Sequence, residues 1–428
     1  MNALQPPPTT DYSYAPGYGE APPASGYSQP GYPPAGGING GGPLLPPQGP
    51  PSVAAPPGSF LSGSPEEVPQ LPSVPIDVYA SEAQTGRFML GAGVNSNAGL
   101  VGSIILDEQN FDWRRWPTSW EDFRSGRAFR GAGQKFRLEA APGTVVQRYL
   151  FNFAEPYLFD TPVSFGLSGY YFNRYYRDWM EQRLGGRATL GYQFTPDLSG
   201  NVGIRAEDVV IGQPRVAGVP DLEAVLGHSS LFSGSASLSH DTRDSTFLPT
   251  EGHFITSTFE YFFGTFQYPK VSINSQKHFL LKERPDGTGR HTLSLYNQTG
   301  FAGSDTPIYE RFYAGGFSTL RGFQFRGASP QVDTVLVGGD FQFLNSVEYM
   351  LPITADDMLK MVAFVDFGTV ETDIAINWDQ FRIAPGLGIR VTIPMISPAP
   401  IAIDFAVPVQ HAPGDLLQNV QFFVGVGR

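Results

Sequence analysis

From about Asp77 to Arg428 the chain repeats one pattern, segments of about ten residues in which apolar and polar side chains alternate, parted by Gly, Pro, Asp and Asn. A period of two places successive side chains on opposite faces of an extended strand. Ile383, Leu387, Ile389, Val391 and Ile393 share one face, opposite Gly386, Gly388, Arg390 and Thr392. In the next segment Ile401, Ile403, Phe405 and Val407 oppose Ala402, Asp404 and Ala406. Earlier, Ile255, Phe259, Tyr261 and Phe263 oppose Thr256, Thr258 and Glu260, and Phe136 and Leu138 oppose Lys135, Arg137 and Glu139. About sixteen such segments follow one another, with no amphipathic helix long enough to cover them. A soluble sandwich of that size needs a large apolar core between its sheets. A closed barrel needs only an apolar outside, tolerates a polar, Gly-lined lumen, and satisfies the backbone groups that lipid cannot. The pattern predicts an all-β fold, a transmembrane antiparallel β-barrel of about sixteen strands over residues 77–428.

Composition narrows the choice further. Charged residues are 16% and aromatics 13%, with 50 Gly and 39 Pro, an unusual balance for a soluble enzyme. The apolar run around Met361 to Val365 breaks far short of the ~20 residues a membrane helix needs. No cysteine is present, which excludes disulfides, thiolate metal sites and Cys nucleophiles. A net charge of -12 argues against nucleic acid as a partner. Trp113, Trp116, Trp120 and Trp179 fall at strand ends or in turns and Trp378 in a loop, as an interfacial belt would have them. Trp116 to Phe123 reads as a short helix capped by Ser119 and lying on the membrane surface, or as a plain loop.

Residues 1–76 differ in texture. Pro6 to Pro8, the Gly-Tyr repeats around Tyr18, Tyr27 and Tyr32, and Gly40 to Gly42 leave too little apolar side chain to offset the cost of ordering the backbone. They read as a disordered, Pro/Gly/Tyr-rich arm. The first residues lack the basic and apolar regions of a secretory signal, so an exported chain is expected to be part of a longer precursor or to carry a misplaced start.

The six His residues (His228, His240, His253, His278, His291, His411) have no metal-like spacing, and no nucleophile elbow, phosphate loop or dinucleotide fingerprint occurs. The reading is therefore not an enzyme, with no cofactor and no metal. One segment stands apart, Glu310 to Gly327. It is too Gly-rich for a strand and too apolar for a solvated loop, and it carries the lone Arg321 between Leu320 and Gly322. It reads as a loop folded into the lumen and anchored on an acidic wall. Parity supplies the acids, with Glu348 on the face of Asp340, Gln342 and Ser346, and Asp366 on the polar face of the following strand.

Arg311 to Phe325 resembles the sixth extracellular loop of the BamA-type outer-membrane protein assembly factors (the bacterial surface antigen family), with Leu320 where the family usually has Val. Asp241 to Asp244 with Leu248 to Gly252, Asn345 to Pro352, Phe364 to Thr369 and Arg382 to Pro408 are similar to further segments of that family. Residues 1–76 show no POTRA-like alternation of helices and strands. The resemblance implies that Arg321, with Gly315, Gly316, Gly322 and Phe323, anchors the lumen loop on Glu348 and Asp366. It also implies a sixteen-stranded barrel that closes poorly between its first strand (about Arg87–Val94) and its last (about Asn419–Gly427). Gly91 and Gly93 on one side, and Gly425 and Gly427 on the other, would weaken that seam, or serve lumen packing.

By the same resemblance the chain would insert outer-membrane proteins through the seam. Its partners would be nascent outer-membrane proteins, outer-membrane lipids and accessory lipoproteins, and the arm would lie in the periplasm. The alternatives are a polypeptide-secretion or passive pore of the same superfamily, and a surface barrel that tethers the envelope through its arm.

Overall fold

The computed structural model describes residues 85–424 apart from 96, 247 and 393–400. The arm over 1–76, Ile393, Gly425 and Gly427 lie outside the described residues.

The alternating segments form one closed antiparallel barrel of sixteen strands, each paired with its neighbours in sequence. Its first eleven are β1 (Gly86–Asn95), β2 (Gly99–Phe111), β3 (Gln134–Ala141), β4 (Val146–Glu155), β5 (Val163–Tyr175), β6 (Met180–Gln193), β7 (Leu198–Gly212), β8 (Gly227–Asp241), β9 (Gly252–Gly264), β10 (Tyr268–Lys282) and β11 (His291–Ala302). A long loop over 303–340 follows, holding the two-residue strands β12 (Gly322–Phe323), β13 (Gln331–Val332) and β14 (Val335–Leu336). The wall resumes with β15 (Phe341–Pro352), β16 (Leu359–Glu371), β17 (Arg382–Val391) and β18 (Ile401–Ala406). After the short β19 (Leu417–Gln418), β20 (Val420–Val424) completes the circle. The all-β barrel expected from the alternation is borne out.

The faces separate as parity predicts. Leu387, Ile389, Ile403, Phe405, Phe259 and Phe263 are exposed on the outside, whereas Arg390, Asp404, Ala402, Ala406 and Glu260 are buried inside. Apolar side chains left open in this way need lipid rather than water around them. Among the described residues no helix is long and apolar enough to cross a membrane, so the strands do the spanning.

The long loop packs inside the barrel. Its Ile308, Tyr309, Val335 and Val337 pack with Trp179, Val209, Ile211, Phe262 and Tyr268 of the wall and its connections. Its Phe312, Ala314, Leu320, Phe323 and Ala328 pack with Ala302, Leu344, Val370 and Ala384. Trp179 therefore corrects one expectation. It is 2% exposed, and its indole N–H donates to Glu181 Oε2 at 3.1 Å, so it belongs to the interior and not to an interfacial belt. Trp113, Trp116, Trp120 and Trp378 are exposed.

Candidate functional site: the lumen loop and the seam

Tight turns bring the loop's cation to the wall. Gly315 has φ 112°, and a Cβ there would meet Gln324 O at 2.2 Å, so only glycine fits the backbone crossing. Gly316 donates its N–H to Phe323 O, and Gly322, at φ 92°, passes close to Pro408 and Ala406. Arg321 is thereby held against β15, β16 and β18. Its Nε reaches Asp366 Oδ2 at 2.7 Å and its Nη2 reaches Asp366 Oδ1 at 2.6 Å, a bidentate pair. The Arg321 backbone N–H adds a third bond to the same carboxylate. Its Nη2 also meets Glu348 Oε1 at 2.6 Å and Ser346 Oγ at 3.0 Å. The guanidinium lies 3.4 Å from the centre of the Phe364 ring. The structure thus brings together Arg321, Glu348 and Asp366, three residues named from the sequence.

A fourth member was not. Asp404 of β18 lies 3.5 Å from Arg321 Nη1 and is bonded on its other side by Arg390, at 2.5 and 3.0 Å. Alternation had placed Asp404 and Arg390 on their inward faces, but only the register of β17 with β18 shows that they meet.

The loop has a second anchor, of opposite sign. Glu310 is fully buried, 2.5 Å from Arg183 Nη1, 3.4 Å from Lys270 Nζ and 3.8 Å from Arg205 Nη2. Burial alone would push its carboxyl up, but Arg183, Lys270 and Arg205 together hold it down at about 2. Arg183 also binds Glu181 and Glu207, and Arg205 with Arg187 faces Glu260. Nearby, Arg326 of the loop is clamped between the Tyr176 and Tyr313 rings, 3.9 Å from each. Pairs such as Glu310 with Arg183, 127 residues apart, left no signal in sequence.

The loop also reaches the last strand. Phe323 O accepts from Gln421 Nε2 of β20 at 2.6 Å, β12 pairs with β19, and the Phe317 and Phe423 rings stack at 5.9 Å. At the seam β1 aligns with β20 at Val94 with Val424 and Asn95 with Phe423, and the residues that follow Val424 lie outside the described residues. Gly91 and Gly93 lie in β1 opposite Ser103 and Val101 of β2, on the face away from the exposed Leu90 and Val94. Among the described residues no three His, Cys, Asp or Glu side chains converge as a metal site would need.

A family model for the Omp85 superfamily domain matches residues 128–426. The chain belongs to the Omp85 superfamily. Among its relatives is the outer membrane protein assembly factor BamA of Nitratidesulfovibrio vulgaris, 25% identical over 345 residues, which are 75% of this chain and 39% of that protein. A SAM50-like protein of Drosophila melanogaster is 26% identical over 213 residues, 48% of this chain and 46% of the relative. The chain spans less than half the length of these curated relatives. In fold, this Omp85 barrel is similar to BamA of Haemophilus ducreyi lacking POTRA domains 1–3, with TM-score 0.66, 18% identity, and 81% of this chain and 70% of that one covered. It is also similar to CdiB of Acinetobacter baumannii, with TM-score 0.52, 12% identity, and 80% and 59% covered. The resemblance to the BamA type read from the sequence is borne out, and the protein is an outer-membrane β-barrel.

Proposed function

We propose that this Omp85 barrel is an assembly factor that inserts outer-membrane proteins through the seam between β1 and β20. The observation that supports the reading is the long loop's hold on one side of the seam, where Phe323 O accepts from Gln421 Nε2 of β20 and β12 pairs with β19. An unpaired edge is a template for another strand, and pairing becomes more favourable as the backbone leaves water for lipid. A nascent barrel protein would add its terminal strand there and grow as a hybrid sheet. Outer-membrane lipids and accessory lipoproteins would attend the process, and no bond is made or broken. The loop supports this division of labour, because it ties β20, β18, β16 and β15 into one unit and leaves β1 as the edge that opens.

The rival reading is a conducting pore. The lumen argues against it, since the loop's buried apolar side chains and both its ion clusters occupy the interior.

Cysteines introduced at the Cα partners Val94 and Val424, in a chain with none of its own, test the proposal. In liposomes the reduced variant is expected to accelerate folding of a client barrel, read as a heat-modifiable gel shift. The oxidised variant is expected to lose the acceleration and regain it with reductant. A locked seam that still accelerates folding removes the lateral route; no acceleration by the unlocked protein removes the function.

A further inference from the structure

At the mouth opposite the long loop, β2 and β3 are joined by a connection over 112–133 that is folded rather than slack. Asp112 N–H donates to Phe129 O, and Phe129 N–H to Arg115 O, both at 2.8 Å. A short helix α1 (Trp120–Arg124) is capped by Ser119, whose hydroxyl accepts from the Asp122 N–H. Despite this order the connection holds its largest apolar side chains outward, with Trp113, Trp116, Trp120 and Phe123 at 52%, 70%, 80% and 56% exposure. The Trp120 and Phe123 rings lie parallel, 6.0 Å apart, as one ledge. An exposed apolar patch of this kind marks a surface that something other than water covers.

Two observations say what covers them. The first is continuity with the lipid-facing wall. Phe151 and Phe136 pack edge to face on the outer side of β4 and β3, and Phe136 stacks on Phe111 at 4.6 Å. Phe111 stacks on Phe129 of the connection, and Phe129 meets Trp116 edge-on at 5.2 Å. One aromatic surface therefore runs without a break from the wall into the connection, on the membrane side of the mouth and not over the lumen. The second is charge. Residues 112–133 carry five Arg (114, 115, 124, 127, 130) against Asp112, Glu121 and Asp122, in a chain whose net charge is -12. The connection itself engages two of those acids, since Asp122 accepts from Thr118 and pairs with Arg127, and Asp112 accepts from the Arg114 N–H. Arg114, Arg115, Arg124 and Arg127 stand exposed among the rings.

We infer that this connection is a binding surface for anionic phospholipid, its rings seated at headgroup depth in the leaflet beside that mouth and its arginines on the lipid phosphates. This goes beyond the insertion activity and does not depend on it. The surface lies on β2 and β3, next to β1, so it would gather anionic lipid beside the seam.

The test uses the full chain in bilayers of phosphatidylcholine with a minor fraction of phosphatidylglycerol, one or the other brominated on its acyl chains. Replacing Trp179→Phe and Trp378→Phe leaves Trp113, Trp116 and Trp120 as the fluorophores. Brominated phosphatidylglycerol is expected to quench them at least about twofold more strongly per lipid than brominated phosphatidylcholine. The variant with Arg114→Gln, Arg115→Gln, Arg124→Gln and Arg127→Gln is expected to lose that preference while quenching by phosphatidylcholine persists. Should the Trp179→Phe protein fail to fold, the difference between the native chain and the Trp113→Phe, Trp116→Phe, Trp120→Phe variant isolates the same signal. Equal quenching by both lipids overturns the headgroup assignment. No quenching by either shows that another segment or a protein partner covers the rings, and overturns the inference entirely.

Discussion

Glu310 and Arg321 belong to one loop, carry opposite charges, and are each buried against an arc of wall of the opposite sign. Glu310 sits among Arg183, Arg205 and Lys270 of β6, β7 and β10, and Arg321 among Glu348, Asp366 and Asp404 of β15, β16 and β18. A loop with like charges at both ends could be seated in more than one way. This one has a single seating that satisfies both, which fixes orientation more than it adds stability.

Arg321→Ala is expected to be the most damaging single change in the loop. It leaves Asp366 buried without its cation, and Asp404 with Arg390 alone. Breaking a buried pair of this kind costs about 3–5 kcal/mol, charged here to the closed loop. Limited proteolysis should cut residues 303–340 faster while the wall keeps its heat-modifiable mobility, and client insertion should fall. Arg321→Lys should land between, because an ammonium keeps the charge but not the bidentate fork. Native resistance of the loop in Arg321→Ala would remove its anchoring role.

Glu310→Gln should act locally and more mildly. Arg183 retains Glu181 and Glu207, so the loss is one set of charge-assisted bonds, about 1.5–3 kcal/mol. Hydrogen exchange should rise around 306–313 and stay unchanged around 319–324, since the two anchors rest on separate arcs of wall. Equal loosening of both stretches would show that the loop moves as one unit.

Gly315→Ala and Gly218→Ala separate backbone crowding from dihedral strain. Both glycines have positive φ, 112° and 86°. A Cβ at 218 would meet nothing within 4 Å, whereas at 315 it would lie 2.2 Å from Gln324 O, 2.8 Å from Gly327 N and 3.1 Å from Ala328 N. Gly218→Ala should cost only the left-handed penalty, about 1–2 kcal/mol. Gly315→Ala must reopen the loop and should expose it to protease as Arg321→Ala does. Similar, small effects at both sites would contradict the close crossing.

The parts of this molecule legible in sequence are those that depend on neighbours in the chain. Alternation over Ile401–Val407 and Ile255–Phe263 reports which face each strand buries, because parity is a local property. Arg321 is conspicuous in sequence because a cation set between Leu320 and Gly322 in an apolar, Gly-rich stretch requires an acid, and parity offers Glu348 and Asp366. Asp404 and Arg390 also had the right parity, but pairing them needs the register between strands. Trp179 misled because a strand-end Trp usually marks a membrane interface; what keeps it inside is Glu181, two residues on, as part of the Arg183 cluster. That cluster joins β6, β7, β9, β10 and the loop, and no short-range pattern encodes such a meeting.

The loop should also tighten on mild acidification, through Asp340. This carboxyl, at the junction of the loop with β15, is pushed up to about 6 by burial, with Asp221 and Asp373 adding to the shift. Arg311, 3.6 Å away and 2.8 Å from its other partner Asp221, pulls the carboxyl back down more than either acid raises it but does not offset burial. For an acid raised from 3.8 in this way, the folded state favours the protonated form. Its stabilising contribution is complete below about 3.8 and is lost as pH rises through about 6. Glu310 runs the other way, but its contribution is complete above about 4.5 and is lost only as pH falls towards 2, so it stays silent at mildly acidic pH. Exchange protection of residues 303–340, corrected for the intrinsic rate, should therefore be greater near pH 5 than near pH 7. Asp340→Asn should flatten the profile at the more protected level. A native profile that is already flat, or one that survives the substitution, would assign the loop's closure to its two ion anchors alone.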